Sequence, residues 1–121
     1  MRRLLALSVL LVVACSGSAS GSDHYQLGEF FIAGPTRLSE ETDSLIVEND
    51  GEFAHTLVVT RANGEVVAAT PLVQPGETVS LSIDLDPGAY QFTCRIVFQE
   101  EDGQMFDHYE LGMRTAVSIG G

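Results

Sequence analysis

The sequence predicts an all-β domain, a Greek-key β-sandwich of seven or eight strands. Three observations support this prediction. No stretch after residue 23 shows a sustained 3.6-residue period of apolar residues, so helices are not expected. Short runs rich in Val, Ile, Leu, Thr and Phe recur instead, separated by Gly, Pro, Asn and Asp. A length of 121 residues with 45% apolar residues suffices for one hydrophobic core and not for two.

The predicted strands follow one another with turn residues between them. They are 25–33, 44–48, 55–61, 65–70, 78–85, 89–98 and 115–119. Alternation is clearest in 78–85, where every second residue is apolar. Asn63-Gly64 predicts a two-residue hairpin turn, because both residues tolerate a positive φ. The acidic, polar segment 36–43 predicts a loop or one short turn.

The N-terminal residues predict export. Two arginines precede an apolar run over 4–13 that is too short to span a bilayer as a helix, so residues 1–14 are interpreted as a signal peptide. The end of this run, a small residue followed by Cys15, resembles a bacterial lipobox. In a lipobox, Cys15 would receive lipid and become the mature N-terminus. The alternative is an ordinary signal peptide that is cut at a later small residue.

The predicted domain organisation follows from this export signal. Residues 15–23 would be the lipidated cysteine and a Gly/Ser tether, and residues 24–121 the folded domain. The chain would cross the cytoplasmic membrane and remain lipid-anchored on its periplasmic or extracellular face.

The charge balance excludes one class of partner. The chain has six arginines, no lysine and 17 acidic residues, for a net charge of −11. Without the two arginines of the signal peptide, four arginines stand against 17 acids, which gives −13. Nucleic acid is therefore excluded as a partner, and membrane contact is expected through the N-terminal lipid only.

Four residues in the predicted domain suit a metal ion: His55, Cys94, His108 and Met113. A thiolate, two imidazoles and a weak thioether together suit copper, whereas zinc more often takes further cysteines or a carboxylate. Each residue alone has a plainer explanation, and Cys94 considered by itself is either an inert core thiol or a ligand. His24 lies beside the tether and is interpreted as a surface residue.

The order of these residues and the turns around them resembles the cupredoxins, the blue copper family that includes plastocyanin and azurin. The resemblance covers about residues 25–120. It rests on an Asn-Asp-Gly turn at 49–51 before His55, a Pro-Gly-Glu turn at 75–77, the segment 87–94 that begins with Pro-Gly and ends at Cys94, and the spacing from His108 to Met113.

The resemblance implies a cupredoxin-like sandwich with a type 1-like mononuclear copper site. His55, Cys94 and His108 would be its trigonal ligands and Met113 the axial one. Thr56 would occupy the position whose polar group helps to hold the ligand loop.

The sequence departs from the family pattern between Cys94 and His108, where thirteen residues intervene instead of a few. This segment, 95–107, predicts a hairpin with its turn at 100–103. Such a loop can bring its ends together, since closure entropy grows slowly with length. Met105 or a carboxylate, Asp107 or Glu110, could then compete with Met113 as the fourth ligand.

The predicted function is extracytoplasmic electron transfer by one copper ion per chain that cycles between Cu(II) and Cu(I). The protein would not be an enzyme by itself, and its partner would be a redox protein, such as a basic cytochrome. In relatives the second His presents an imidazole edge at an apolar surface patch. His108 would have that role here, with the long hairpin either covering it or forming the docking face. The alternatives are a copper carrier or storage lipoprotein and a metal-free cupredoxin-like binding module.

Overall fold

A computed structural model describes residues 21–120, and in this range the chain forms eleven strands and no helix. The strands are β1 (Gly21–Gly28), β2 (Phe31–Ala33), β3 (Arg37–Ser39), β4 (Thr42–Asn49), β5 (Val58–Arg61), β6 (Val66–Ala69), β7 (Thr78–Ser82), β8 (Gly88–Thr93), β9 (Val97–Gln99), β10 (Met105–Asp107) and β11 (Arg114–Gly120). A search of the same range for a helix long and apolar enough to cross a bilayer finds none. The predicted signal peptide and Cys15 lie outside it.

Two sheets form the body of the domain. One has the order β2-β1-β4-β7 and the other the order β3-β11-β8-β5-β6, while β9 and β10 form a separate two-stranded ribbon. The pairs β1–β4 and β3–β11 are parallel, and the remaining pairs are antiparallel. The predicted all-β sandwich is confirmed.

The core lies between the two sheets and follows from alternation along the strands. On β4, Leu45 and Val47 point to the same face of the sheet and are fully buried, while Glu48 points to the opposite face and is exposed. From the other sheet, β8 contributes Phe92, whose ring lies 5.1 Å from that of Tyr25 on β1. Aromatic contact across the two layers therefore closes the middle of the sandwich.

The strand count exceeds the predicted seven or eight because several strands are short and are defined by distant pairing. Residues 25–33, predicted as one strand, divide into β1 and β2, which pair antiparallel. Segment 36–43, predicted as a loop or turn, contains β3 and the start of β4. Strand β3 exists because Arg37 pairs with Ser118 of β11, a contact that no local pattern shows.

The folded domain includes residues before the predicted boundary at residue 24. Strand β1 begins at Gly21, so residues 21–23, assigned to the tether, pair with β4 in the sheet. The polar composition of these residues is compatible with a place in the sheet, because the Ser22 side chain is exposed and its hydroxyl lies 3.0 Å from that of Ser44.

Both predicted hairpins are present. A hairpin at Asn63-Gly64 joins β5 and β6, but its loop has three residues, 62–64, instead of the predicted two, because the N–H of Gly64 donates to the carbonyl of Arg61 and the N–H of Arg61 to that of Glu65. Gly64 has a φ of +91°, which a side chain would strain. The predicted strand 89–98 divides into β8 and β9, and β9 continues through the turn at 100–103 into β10. This second hairpin extends from the end of the sandwich where the four predicted ligands lie.

Candidate metal centre

His55 is held where the chain enters β5. Its backbone N–H donates to the carbonyl of Val73 at 3.0 Å, and the N–H of Val73 donates back at 2.8 Å. This isolated bridge fixes the backbone of His55, and the side chain is fully buried. The predicted first ligand is thus part of a rigid strand entry.

Asn49 explains why the turns at 49–51 and 75–77 accompany His55. Its side-chain NH₂ donates to the carbonyls of Phe53 at 2.8 Å and Val73 at 2.9 Å, and its Oδ1 accepts from Gly51 at 2.8 Å. Its backbone pairs with the segment 76–77. Asn49 is fully buried, so these bonds tie the two turns and the entry to His55 into one unit.

Cys94 follows the last residue of β8 and continues its pairing, because its N–H donates to the carbonyl of Met113 at 3.0 Å. The thiol is fully buried. Thr56 directs two donors at the sulfur, its N–H at 3.4 Å and its hydroxyl at 3.7 Å. The residue after the first histidine therefore contacts the sulfur directly.

The thirteen residues between Cys94 and His108 close on themselves. In the β9–β10 ribbon Val97 pairs with Asp107 and Phe98 with Phe106, and below it the N–H of His108 donates to the carbonyl of Ile96 at 2.9 Å. The hairpin thus returns the chain to within two residues of the cysteine. A long insertion consequently leaves the positions of Cys94 and His108 compatible with one site.

The three predicted trigonal residues converge. Nδ1 of His55 lies 3.2 Å from Nδ1 of His108, and that atom lies 3.6 Å from Sγ of Cys94. One ligand atom of each residue lies within 4.8 Å of the others. Nitrogens at about 2.0 Å and a sulfur at about 2.3 Å from one ion would be about 3.3 to 3.7 Å apart in trigonal or tetrahedral geometry. The separations of His108 from His55 and from Cys94 match this arrangement, and the third pair lies within 4.8 Å.

His108 is covered, not exposed at an edge. Its side chain is 1% exposed, and the rings of Phe30 and Phe98 lie 4.9 and 5.7 Å from it. The long hairpin was expected either to cover His108 or to form the docking face, and in the structure it covers His108. An apolar cleft of about 230 Å³ lies against His108, with Phe53, Ala54 and Ile96 among its walls.

The electrostatics of His108 favour a neutral imidazole. Burial, and then the neighbouring His55, lower the pKa of His108 below its ordinary value, while Glu29 and Asp107 partly oppose the shift. Its Nε2 is buried and has no hydrogen-bond partner among residues 21–120. A neutral ring with Nδ1 facing Cys94 is the form that binds a metal ion.

Met113 is fully buried, and its backbone joins the other two ligand segments. Its carbonyl accepts from Cys94 and its N–H donates to the carbonyl of His108 at 3.0 Å. Of the competing residues, Met105 is 58% exposed on β10 and Glu110 is exposed. Asp107 accepts from the N–H of Tyr109 at 2.9 Å.

Glu29 is a site residue that the sequence analysis missed. Its Oε2 lies 2.6 Å from Nε2 of His55, on the side of the ring opposite His108. Glu29 stands in the short connection between β1 and β2, far from His55 in sequence, and no local pattern marks it. By contrast His24, interpreted as a surface residue, is exposed on β1 as expected.

Comparisons with known proteins agree with this geometry at the level of the fold. No family model matches the chain, and no curated protein matches its sequence. Among solved structures, an azurin (Az-iso2) from the methylotroph Methylomonas sp. strain J superimposes with a TM-score of 0.57. The match covers 84% of this chain and 98% of the azurin. The chain has the cupredoxin fold.

The predicted resemblance is therefore confirmed in three dimensions, although sequence identity with the azurin is only 15%. At that identity the likeness establishes the cupredoxin fold, and the function must be argued from the chain's own residues. Among the His, Cys, Asp and Glu residues of 21–120, His55, Cys94 and His108 form a group whose side chains lie close enough together to hold one ion.

Proposed function

We propose that the protein binds one copper ion, which His55, Cys94 and His108 would hold with Met113 as a fourth ligand, and that it transfers single electrons. The observation that carries the proposal is the convergence of two Nδ1 atoms and one sulfur at 3.2 and 3.6 Å in a buried site. Thiolate and imidazole together suit both copper oxidation states, and a buried neutral His108 is ready to coordinate.

When bound, copper supplies a one-electron couple between Cu(II) and Cu(I). The backbones of His55 and Cys94 are held by strand pairing, so the ligands keep their places in either state. The two Thr56 donors lie against the sulfur and draw charge from the thiolate, which tunes the potential. The rings of Phe30 and Phe98 exclude water from His108.

Met113 is preferred as the fourth ligand over Met105 and Glu110. It is fully buried between the segments that carry Cys94 and His108, whereas Met105 and Glu110 are exposed. Replacing Met113 by Leu should therefore change the copper spectrum, while Met105→Leu should leave it unchanged. The reverse result would make Met105 of the hairpin the fourth ligand.

The copper assignment is tested with a visible spectrum after Cu(II) is added to the purified full chain. An intense thiolate-to-copper charge-transfer band is expected, and Cys94→Ser should remove it. The matched control is Cys15→Ser, which changes the other cysteine and should keep the band. Copper binding without the band, or a band that survives Cys94→Ser, would contradict the blue-copper assignment.

Two alternatives are separated by further measurements. A copper carrier or storage protein would release Cu(I) rapidly to a chelator, whereas a redox site should retain copper over many cycles. The buried ligands favour slow exchange. A metal-free binding module would take up no copper in equilibrium dialysis. We expect no enzymatic turnover by the protein alone.

We further propose that residues 1–14 direct export and that lipid on Cys15 holds the domain at the outer side of the cytoplasmic membrane. Basic and apolar residues followed by Ala14-Cys15 support this. Mass spectrometry should find a mature chain that begins with a lipidated Cys15. Cys15→Ser should move the protein to the soluble fraction, and an unmodified chain cut after residue 15 would contradict lipidation.

The partner proposed is a basic redox protein, such as a cytochrome. Support comes from the 17 acidic residues against six arginines, since complementary charge accelerates encounter. Electron-transfer rates with a basic cytochrome should then fall steeply as salt is raised. Rates that are independent of salt would overturn the charge argument without affecting the copper site.

A further inference from the structure

The strongest unassigned feature is the contact between Glu29 and the back of His55. Oε2 of Glu29 lies 2.6 Å from Nε2 of the imidazole, whose Nδ1 faces His108. His55 is fully buried, and the Glu29 side chain is 25% exposed. Glu29 therefore closes one side of the site from the connection between β1 and β2.

The loop that leads to His55 holds the Glu29 carboxylate in place. The second oxygen of Glu29, Oε1, accepts the N–H of Glu52 at 2.6 Å. Gly51 leaves room for the carboxylate, since a Cβ there would clash with Oε2 of Glu29. Gly51 is in turn held by Asn49. The same turn that positions His55 thus also positions its carboxylate partner.

The charge of Glu29 decides the direction of the hydrogen bond. Oε1 of Glu29 accepts the N–H of Glu52 at 2.6 Å while Oε2 lies 2.6 Å from Nε2 of His55, and a glutamate side chain is ordinarily ionised at neutral pH. An ionised carboxylate has no proton to donate. The Nε2 of His55 must therefore carry the hydrogen, which leaves a lone pair on Nδ1.

We propose that Glu29 is a positioning residue of the metal centre: its carboxylate holds His55 in the Nε2–H tautomer with Nδ1 free to bind, and its charge favours Cu(II) over Cu(I). The second half of this inference rests on the proposed copper function, whereas the first half concerns the metal-free protein. A carboxylate behind a ligand imidazole orients the ring and raises its basicity. A negative charge near the site stabilises the more positive ion.

The metal-free arm measures the tautomer of His55 by two-bond ¹⁵N–¹H correlation of the imidazoles. The wild-type chain and Glu29→Gln, which keeps an acceptor oxygen, should both show the Nε2–H form. Glu29→Leu has no acceptor and should show a mixture of tautomers. An unchanged Nε2–H form in Glu29→Leu would overturn the positioning role, whatever the protein binds.

The copper-loaded arm separates charge from hydrogen bonding. Glu29→Gln should raise the reduction potential more than the matched control Glu52→Gln, which removes the same charge from an exposed side chain in the neighbouring loop between β4 and β5. Glu29→Leu should weaken Cu(II) binding about 10- to 100-fold. Equal potentials in the two Gln variants, or full affinity in Glu29→Leu, would overturn the proposal.

The two arms also separate this inference from the proposed function. If the wild-type chain binds no copper, the copper function fails while the tautomer result still tests Glu29. If copper binds with its thiolate band but the Glu29 variants behave like Glu52→Gln, the copper function stands and Glu29 is only a structural contact.

Discussion

The middle of the sandwich and its metal-site end are both buried, but different interactions hold them. In the middle, apolar side chains such as Leu27, Leu45 and Val59 pack between two sheets without directional bonds. At the site end, Asn49, His55 and His108 are equally buried and polar. An apolar core tolerates substitutions that keep the side-chain volume. A buried polar group, in contrast, destabilises the fold when one of its hydrogen-bond partners is removed. The two regions should therefore respond differently to mutation.

The largest expected effect lies in the middle of the sandwich. Phe92→Ala should lower the free energy of unfolding by about 3 to 5 kcal/mol, because it empties a fully buried site against Tyr25. Urea denaturation measures this effect. The control is Phe31→Ala on the edge strand β2, where the ring is 44% exposed and the cost should be much smaller. Similar losses in the two variants would contradict the assigned core.

The next effect belongs to the site end. Asn49→Ala should cost about 2 to 3 kcal/mol, since it removes three hydrogen bonds of a fully buried side chain, those to the carbonyls of Phe53 and Val73 and the one from the N–H of Gly51. It should also weaken copper binding, because the entry to His55 loosens. Asn63→Ala in the exposed hairpin turn removes one bond, to the N–H of Glu65, and should leave copper binding intact. Equal effects at the two asparagines would remove the distinction between the regions.

The dependence of stability on pH tests the middle of the sandwich by itself. Burial, with a smaller contribution from Asp23, raises the pKa of the Tyr25 phenol well above its ordinary value. The folded chain keeps this proton while the unfolded chain loses it near pH 10, so stability is full below pH 10 and falls as the pH rises further. Tyr25→Phe should cost about 1 kcal/mol at pH 7, because it loses the bond to the Pro35 carbonyl.

The matching comparison is how steeply the free energy of unfolding falls with pH above pH 10, measured by urea denaturation at several pH values. Tyr25→Phe should lose less stability there than the wild-type chain. Parallel curves would show that this phenol does not govern the alkaline limit.

The smallest effect on stability is expected in the hairpin. Phe98→Ala should cost at most about 1 kcal/mol, because the ring is only half-buried. It should nevertheless uncover His108 and accelerate its modification by diethyl pyrocarbonate in the metal-free chain. Phe106→Ala removes a ring that stacks on Phe98 and should change the rate less. A reversed order would place the cover elsewhere.

Particular elements show how far the sequence could be interpreted. The alternation in 78–85 predicts β7 because its pattern is local, and Asn63-Gly64 predicts the place of the hairpin for the same reason, although not its three-residue loop. Strand β3 could not be predicted, because it depends on pairing with β11 near the other end of the chain. At the site, His55, Cys94 and His108 are predicted by residue type and order. Glu29 is not, because an isolated glutamate has no distinguishing chemistry until it lies beside a histidine.

By itself the sequence determined the β class, the acidic charge and a set of side chains whose chemistry suits copper, because composition, alternation and side-chain chemistry are local properties. The tertiary structure decided how the thirteen residues after Cys94 return His108 to the sulfur, since hairpin closure depends on pairing between β9 and β10. It also decided that Phe30 and Phe98 cover His108 and that Glu29 supports His55. These contacts join segments far apart in the chain, and only the packed sheets bring them together.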